Sequence, residues 1–342
     1  MDRFQLGRTG MDITRIGVGA FAMGGPHWSH AWSAQSDYDS VAALRRALEQ
    51  GVNWIDTAAV YGHGHSEEVV AQAIRDMPAA DRPYVFTKCG IVWDETDWRA
   101  EEHNIASPQS LRRQVEGSLK RLATDCIDLY QVHWPPTDGT PLDEYWATML
   151  ELKQQGKVRA VGVSNHSVAQ LEQAEALGHV DTLQPPLSMI HREAAADLLP
   201  WCDAHDTGVI VYSPMQAGLL TGAFTEARAA ALPADDWRSR EADFTGEGLR
   251  RNLALAAGVA ELAAELGVHP GALAVAWTLT LPGVTGAIVG ARRAVQVDDW
   301  IAAPTVRLGD EELMRIAELI TRTRAGSGPV SPRLPSGGGR MT

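Results

Sequence analysis

The sequence predicts a single closed (β/α)8 TIM barrel, and three observations carry that reading. Eight short runs rich in β-branched and other apolar residues recur along the 342 residues, and a segment of helical pattern follows each. The runs are nearly continuous in apolar residues, as strands of a parallel sheet covered on both faces must be. No break in composition divides the chain, so the units belong to one domain. Eight of them close into a barrel rather than open into a doubly wound sheet.

RIGVG (15–19) precedes a helix over 36–50, and NWID (53–56) precedes one over 66–75. YVFTK (84–88) leads to a helix over 107–122, and IDLYQVH (127–133) to one over 142–155. VRAVGVSN (158–165) is followed by 168–176, and TLQP (182–185) by 194–205. GVIVYS (208–213) gives way to a long loop and then helices within 250–281, and GAIVG (286–290) to a helix over 294–303. The barrel domain is expected over 1–322.

Three segments stand outside the repeat. FQLGRTGMDITRI, with its Gly-rich turn, predicts a β-hairpin plugging the barrel floor. Residues 223–249 form a charged insertion long enough to be a lid. The end of the chain, 323–342, reads as a flexible tail, since 325–342 hold eleven Gly, Pro or Ser among eighteen residues. Residues 271–291 carry no charge over a membrane-spanning length. Pro282 and four glycines interrupt them, which favours a buried helix, a turn and a buried strand.

The composition is that of a globular protein, 45% apolar and 21% charged, and a net charge of −13 speaks against a nucleic-acid partner. Cys89, Cys126 and Cys202 are odd in number and widely spaced, without a ligand pattern. The N-terminal stretch has no apolar signal segment, so free thiols in a reducing cytoplasm are expected.

In such barrels chemistry sits at the carboxyl ends of the strands. Asp56 ends the second strand there, Tyr61 lies in the loop beyond it, Lys88 ends the third and His133 the fourth. A buried lysine needs an anion, which Asp56 supplies from the neighbouring strand. An ammonium beside a phenol is expected to lower its pKa from about 10 toward neutrality, so that Tyr61 donates a proton as hydride reaches a carbonyl carbon. Lys88 then tunes the phenol, Asp56 holds Lys88, and His133 orients the carbonyl.

NWIDTAAVYG, FTKCG, DLYQVHW, GVSN, LQPP, YSPMQAGLLTG and IVGARRAVQVDDW, in this order and spacing, resemble the successive signatures of the aldo-keto reductase superfamily. The resemblance covers nearly the whole chain. It implies a (β/α)8 barrel that binds NADP(H) without a Rossmann fold, and a catalytic tetrad carried by Asp56, Tyr61, Lys88 and His133. It also implies cofactor contacts at Ala20, Phe21 and Asp56, a carboxamide held by Ser164, Asn165 and Gln184, and a nicotinamide ring stacked on Tyr212. The backbone of Ser213, Pro214, Met215 and onward to Gly218 would follow the pyrophosphate. Gly290 and Arg292 would grip the 2′-phosphate, with Arg293 as the alternative contact, and Gln296 and Asp299 would meet adenine and ribose. Two positions depart from the family. Trp300 stands where relatives often carry asparagine, so adenine meets an aromatic there or Trp300 faces away. Leu187 replaces a common tyrosine.

Trp28, Trp93 and Trp134 follow the first, third and fourth strands and are candidates for the substrate pocket, with core packing as the alternative. His27 with His30, and His63 with His65, lack a third ligand and read as loop histidines rather than a metal site. The expected activity is interconversion of a small carbonyl compound and an alcohol. The alternatives are a sugar or polyol dehydrogenase or epimerase, and a cofactor-binding regulatory subunit resembling the β subunits of potassium channels.

Overall fold

The computed structural model describes residues 1–331 apart from 27, 29, 31–34, 95, 98, 99 and 235. Eight parallel strands close into a barrel: Ile16–Gly19, Trp54–Asp56, Tyr84–Cys89, Ile127–Val132, Val158–Ser164, Thr182–Gln184, Gly208–Val211 and Gly286–Gly290. Neighbours in sequence are neighbours in the sheet, and the last strand pairs with the first through Ala287 opposite Ile16 and Gly290 opposite Gly19. Each strand is fully or almost fully buried, which is why alternation is absent from the sequence. All eight strands run the same way, so Gly19, Asp56, Cys89, Val132, Ser164, Gln184, Val211 and Gly290 share one rim.

The barrel floor is closed as expected by a hairpin, Arg3–Gln5 paired antiparallel with Asp12–Thr14. It inserts Leu6, Met11 and Ile13 against Trp54, Phe86, Leu129 and Ile210. Trp54 fills so much of the interior that a Cβ on Gly17 would stand 2.2 Å from its indole. Only glycine fits beneath it.

Most helices outside the barrel begin and end close to their sequence-based limits, for example Asp37–Glu49, Pro108–Leu122 and Leu142–Gln154, but the one expected over 194–205 starts at Leu198 and the one expected over 294–303 stops at Asp298. The apolar stretch near the C-terminus divides as expected into the buried helix Pro270–Leu279, a turn and a strand. Among the described residues no single helix is long and apolar enough to cross a membrane. The insertion contains one short helix, Glu226–Ala230, and two 3-10 turns, Trp237–Arg240 and Ala242–Phe244. It ends earlier than expected, because the helix Gly246–Glu265 starts inside it.

Three further features differ from the sequence reading. The helix Asp310–Thr323 is additional to the eight units, with Asp310, Glu311 and Glu312 in its first turn, where carboxylates favour the helix dipole. A small antiparallel pair, Ile91–Val92 with His103–Asn104, follows the third strand. The tail expected from 323 is anchored over 325–329. Arg192 donates to the carbonyls of Ala325, Gly328 and Pro329, and Ser327 exchanges backbone bonds with Ile190 and Arg192. A buried guanidinium needs acceptors, and the backbone of this segment supplies them. Residues 332–342 of the expected tail lie outside the described residues.

Candidate active site

Asp56 and Lys88 come together because their strands are adjacent and both side chains point into the barrel mouth. Lys88 Nζ donates to Asp56 Oδ1 at 2.5 Å and to the Thr57 carbonyl at 2.9 Å. Gln184 Nε2 donates to the other carboxylate oxygen at 2.9 Å. Tyr61 hangs from the turn after the second strand, its amide bonded to the Ala58 carbonyl. Its hydroxyl is 3.5 Å from Lys88 Nζ, and its ring lies 5.6 Å from that of His133, edge to face. His133 begins the loop one residue past its strand, fixed by a bond from its amide to the Cys89 carbonyl. The four expected side chains therefore converge on one rim.

The expected electrostatics of Tyr61 require correction. Its phenol is pushed well above the usual value of 10.0, first by burial and then by the charge of Asp56. The ammonium does not reverse this, because Asp56 neutralises it at 2.5 Å and the hydroxyl stands a full ångström farther off. Burial also pushes the Asp56 carboxyl up and the Lys88 ammonium down, and their mutual attraction opposes both shifts. His133 is held well below 6.5, by desolvation first and then by the positive charge of Lys88. The site as built is a paired carboxylate and ammonium beside a neutral phenol and a neutral imidazole.

The residues carried over for the nicotinamide form one network. Asn165, at φ 62°, donates to the His133 carbonyl and to Ser164 Oγ, while Tyr212 Oη donates to its side-chain oxygen at 2.8 Å. Ser164 Oγ donates to the Gln184 carbonyl. The Ala20 amide donates to the Asp56 carbonyl, and the Phe21 ring stands edge-on to Tyr61 at 5.0 Å. Ser213, Gln216 and Ala217 all have left-handed backbones, and Pro214 and Met215 lie between them. Gly218 and Gly290 each face open space, where an added Cβ would meet nothing within 4 Å.

Arg292 Nε donates to Gln35. Burial lowers its pKa first, then the positive charges of Arg238, Arg293 and Arg228, against the charge of Asp236, which is itself paired with Arg238 at 2.6 Å. Gln296 accepts from the amides of Arg292 and Arg293, opening the helix Ala294–Asp298. Asp299 stands 3.8 Å from His269. Trp300 is 1% exposed and lies in the core, so the open alternative resolves to a ring that faces away. Leu187 is also fully buried.

Of the three candidate pocket tryptophans, Trp28 packs on Phe21 and Tyr61 at 5.2 and 5.5 Å. Trp93 joins that cluster and stacks on His63 at 5.1 Å. Trp134 is 43% exposed, which puts it on the outer edge. His63 and His65 pair with Glu102 and Asp37, and His27 lies outside the described residues. Among the described residues no group of three or more His, Cys, Asp or Glu could hold a metal. Cys89 is core, its thiol pushed up to about 12 by burial.

The sequence reading missed Trp237 and Arg238 of the insertion, which reach Phe21 and the Arg292 cluster. It also missed Glu67, whose buried carboxylate accepts from Thr87 and Arg121 and whose charge, after that of Asp56, opposes the lowering of the Lys88 pKa by burial. The insertion gave no signal for the first two, since Phe224, Leu232 and Phe244 accompany them there. For Glu67 there was none, since an acid in a first helical turn is ordinary.

The aldo/keto reductase family model matches residues 15–321. The chain is 34% identical to aldo-keto reductase YhdN of Bacillus subtilis, covering 97% of each protein. It is 33% identical to the NADH-specific methylglyoxal reductase of Escherichia coli, covering 94% of this chain and 100% of that one. Among solved structures it resembles the glycerol dehydrogenase of Gluconobacter oxydans, with a TM-score of 0.86, 34% identity and coverage of 98% and 99%. It also resembles an aldo/keto reductase from Klebsiella pneumoniae in complex with NADP and acetate, with a TM-score of 0.68, 28% identity and coverage of 96% and 97%. The chain belongs to the aldo/keto reductase family.

Proposed function

We propose that the protein is an NADP(H)-dependent oxidoreductase that interconverts a small carbonyl compound and an alcohol, with Tyr61 as general acid and base. The observation that carries this reading is Lys88 Nζ, bonded to Asp56 at 2.5 Å and standing 3.5 Å from the Tyr61 hydroxyl. A neutral buried phenol is a competent proton donor to an oxyanion that develops at its hydroxyl. Lys88, held 3.5 Å away by the Asp56 and Thr57 oxygens, offers the phenolate left behind what positive charge Asp56 does not offset. Neutral His133 donates a hydrogen bond that orients the substrate oxygen.

The residues present fit a dinucleotide. Gly218 and Gly290 leave room for phosphate and sugar to approach the backbone, and a cluster of guanidinium groups gathers around Arg292 on a chain of net charge −13. Ser164, Asn165 and Gln184 would hold the carboxamide, Tyr212 the ring, Ser213–Gly218 the pyrophosphate, and Arg292 or Arg293 the 2′-phosphate, with Gln296 and Asp299 at the adenosine edge. When bound, the nicotinamide supplies or accepts the hydride. The arginine cluster supports NADP(H) over NAD(H), because a guanidinium matches a phosphate in charge and geometry. The Escherichia coli relative is an NADH-specific reductase, and comparison of kcat/KM with NADPH and with NADH tests the preference of this chain.

A polyol dehydrogenase is the second reading, supported by the likeness to a glycerol dehydrogenase. Trp28 and Trp93 would line the substrate cavity. Three cysteines without a disulfide support a cytoplasmic site. The test follows nicotinamide absorbance with NADPH or NADH against aldehydes and ketones, and with NADP⁺ or NAD⁺ against glycerol and other polyols. Absence of turnover throughout, or a Tyr61→Phe variant as active as wild type, would reject the enzymatic reading.

A further inference from the structure

The loop after the seventh strand is held in an uncommon shape. Ser213, Gln216 and Ala217 have φ of 57°, 44° and 47°, a region that side chains other than glycine adopt only when the surroundings impose it. The strongest contact on this loop comes from the insertion. Asp243 Oδ2 accepts Gln216 Nε2 at 2.7 Å and faces His191 Nε2 at 2.8 Å. Asn252, on the following helix, donates to Asp243 Oδ1 and to its carbonyl. Ser188 Oγ reaches Gln216 Oε1 at 3.4 Å from the turn that carries His191. One carboxylate thus joins the loop, the insertion, the long helix and the turn after the sixth strand.

We propose that Asp243, gripped by His191, is a positioning residue that holds the Ser213–Gly218 loop in its cofactor-receiving shape. The inference rests on the reading of that loop as the seat of the pyrophosphate. A carboxylate with three donors is a rigid anchor, since charge-assisted bonds are shorter and stronger than neutral ones. The loop needs such an anchor, because relaxation of Gln216 and Ala217 to ordinary backbone angles would collapse the seat.

The grip is also set by protonation. The charged groups around the imidazole are Asp243 from the insertion, Glu193 at 3.7 Å on its own turn, and the adjacent Arg192, whose guanidinium is turned to backbone carbonyls. The bond to Asp243 and the two negative charges raise the pKa of His191 above 6.5, against the effect of burial. The imidazolium form is favoured, and the clamp loosens as pH rises through that raised value.

The experiment is a fluorescence titration of the purified chain with NADPH and with NADH, in wild type, Asp243→Asn and His191→Gln, from pH 6 to 9. Circular dichroism melts run alongside it to monitor folding. Asp243→Asn should weaken binding of both nucleotides about tenfold, the loss expected of one charged hydrogen bond. Wild-type affinity should fall as pH climbs past 6.5, and that component should be missing in His191→Gln, which leaves Asp243 in place. NADH controls for titration of the 2′-phosphate. Variants that lose melting temperature but bind as wild type, with the same pH dependence, would overturn the inference alone. Failure of the wild-type chain to bind either nucleotide would overturn the underlying reading as well.

Discussion

Tyr61 keeps its proton because it is enclosed by Phe21, Trp28 and His133 while the nearby Lys88 ammonium is already paired with Asp56. The sign follows directly. A phenol raised above 10.0 is protonated at every pH below that value, and an imidazole lowered below 6.5 is neutral at every pH above its own value. In carbonyl reduction, kcat/KM should therefore be flat between about pH 6.5 and 9 as far as these two groups are concerned. A fall with an apparent pKa near 7 that disappears in Tyr61→Phe would contradict this. Loss of the hydroxyl should lower kcat by about 10²–10⁴-fold, the usual contribution of a placed acid, with little change in cofactor affinity. The identities of the four residues were legible in the sequence because each falls at a strand end within a recognisable motif. The direction of the phenol's shift was not, since it depends on whether burial or the ammonium dominates, and only the distances decide that.

Two elements depend on contacts that a single substitution can test. Gly17 makes room for the Trp54 indole on the neighbouring strand, and Gly17→Ala should destabilise by about 1–3 kcal/mol through overpacking, read as a shift in the denaturant midpoint. Arg192 ties residues 325–329 to the barrel, so Arg192→Ala should open this segment to limited proteolysis before the rest of the chain unfolds. A variant no more sensitive than wild type would count against that anchor. At this scale the strands and most helices were readable from apolar runs followed by helical pattern. The anchoring of 325–329 was not, because a Gly/Pro/Ser-rich stretch looks flexible unless the distant donor that fixes its carbonyls is known. The same holds for the insertion: its charge marked it as a loop, but nothing in its own sequence tells that Trp237 turns to Phe21 or that Asp243 meets His191.

For the molecule as a whole, the buried pair at the centre of the site is a concession of stability to chemistry. Lys88→Met alone strands Asp56 and should cost about 3–5 kcal/mol, whereas Asp56→Leu with Lys88→Met should be neutral or stabilising by about 1–4 kcal/mol while abolishing turnover. Chemical denaturation and an absorbance assay on the same two variants check both halves. The arginine cluster acts at this scale too, since Arg228 and Arg238 come from the insertion and Arg292 and Arg293 from the end of the barrel. Arg292→Ala should weaken NADPH binding about 10–100-fold and NADH binding little, as expected for one lost charged contact to a phosphate. By itself the order of amino acids determined the closed eightfold barrel, the rim that carries chemistry and the membership of the family. Each of these follows from local pattern repeated at regular spacing. Only the tertiary structure decided which charges neutralise one another, which way Trp300 faces and what holds the loop at 213–218. Those outcomes rest on contacts between residues far apart in the chain, whose strength varies with distance and burial that no spacing along the sequence encodes.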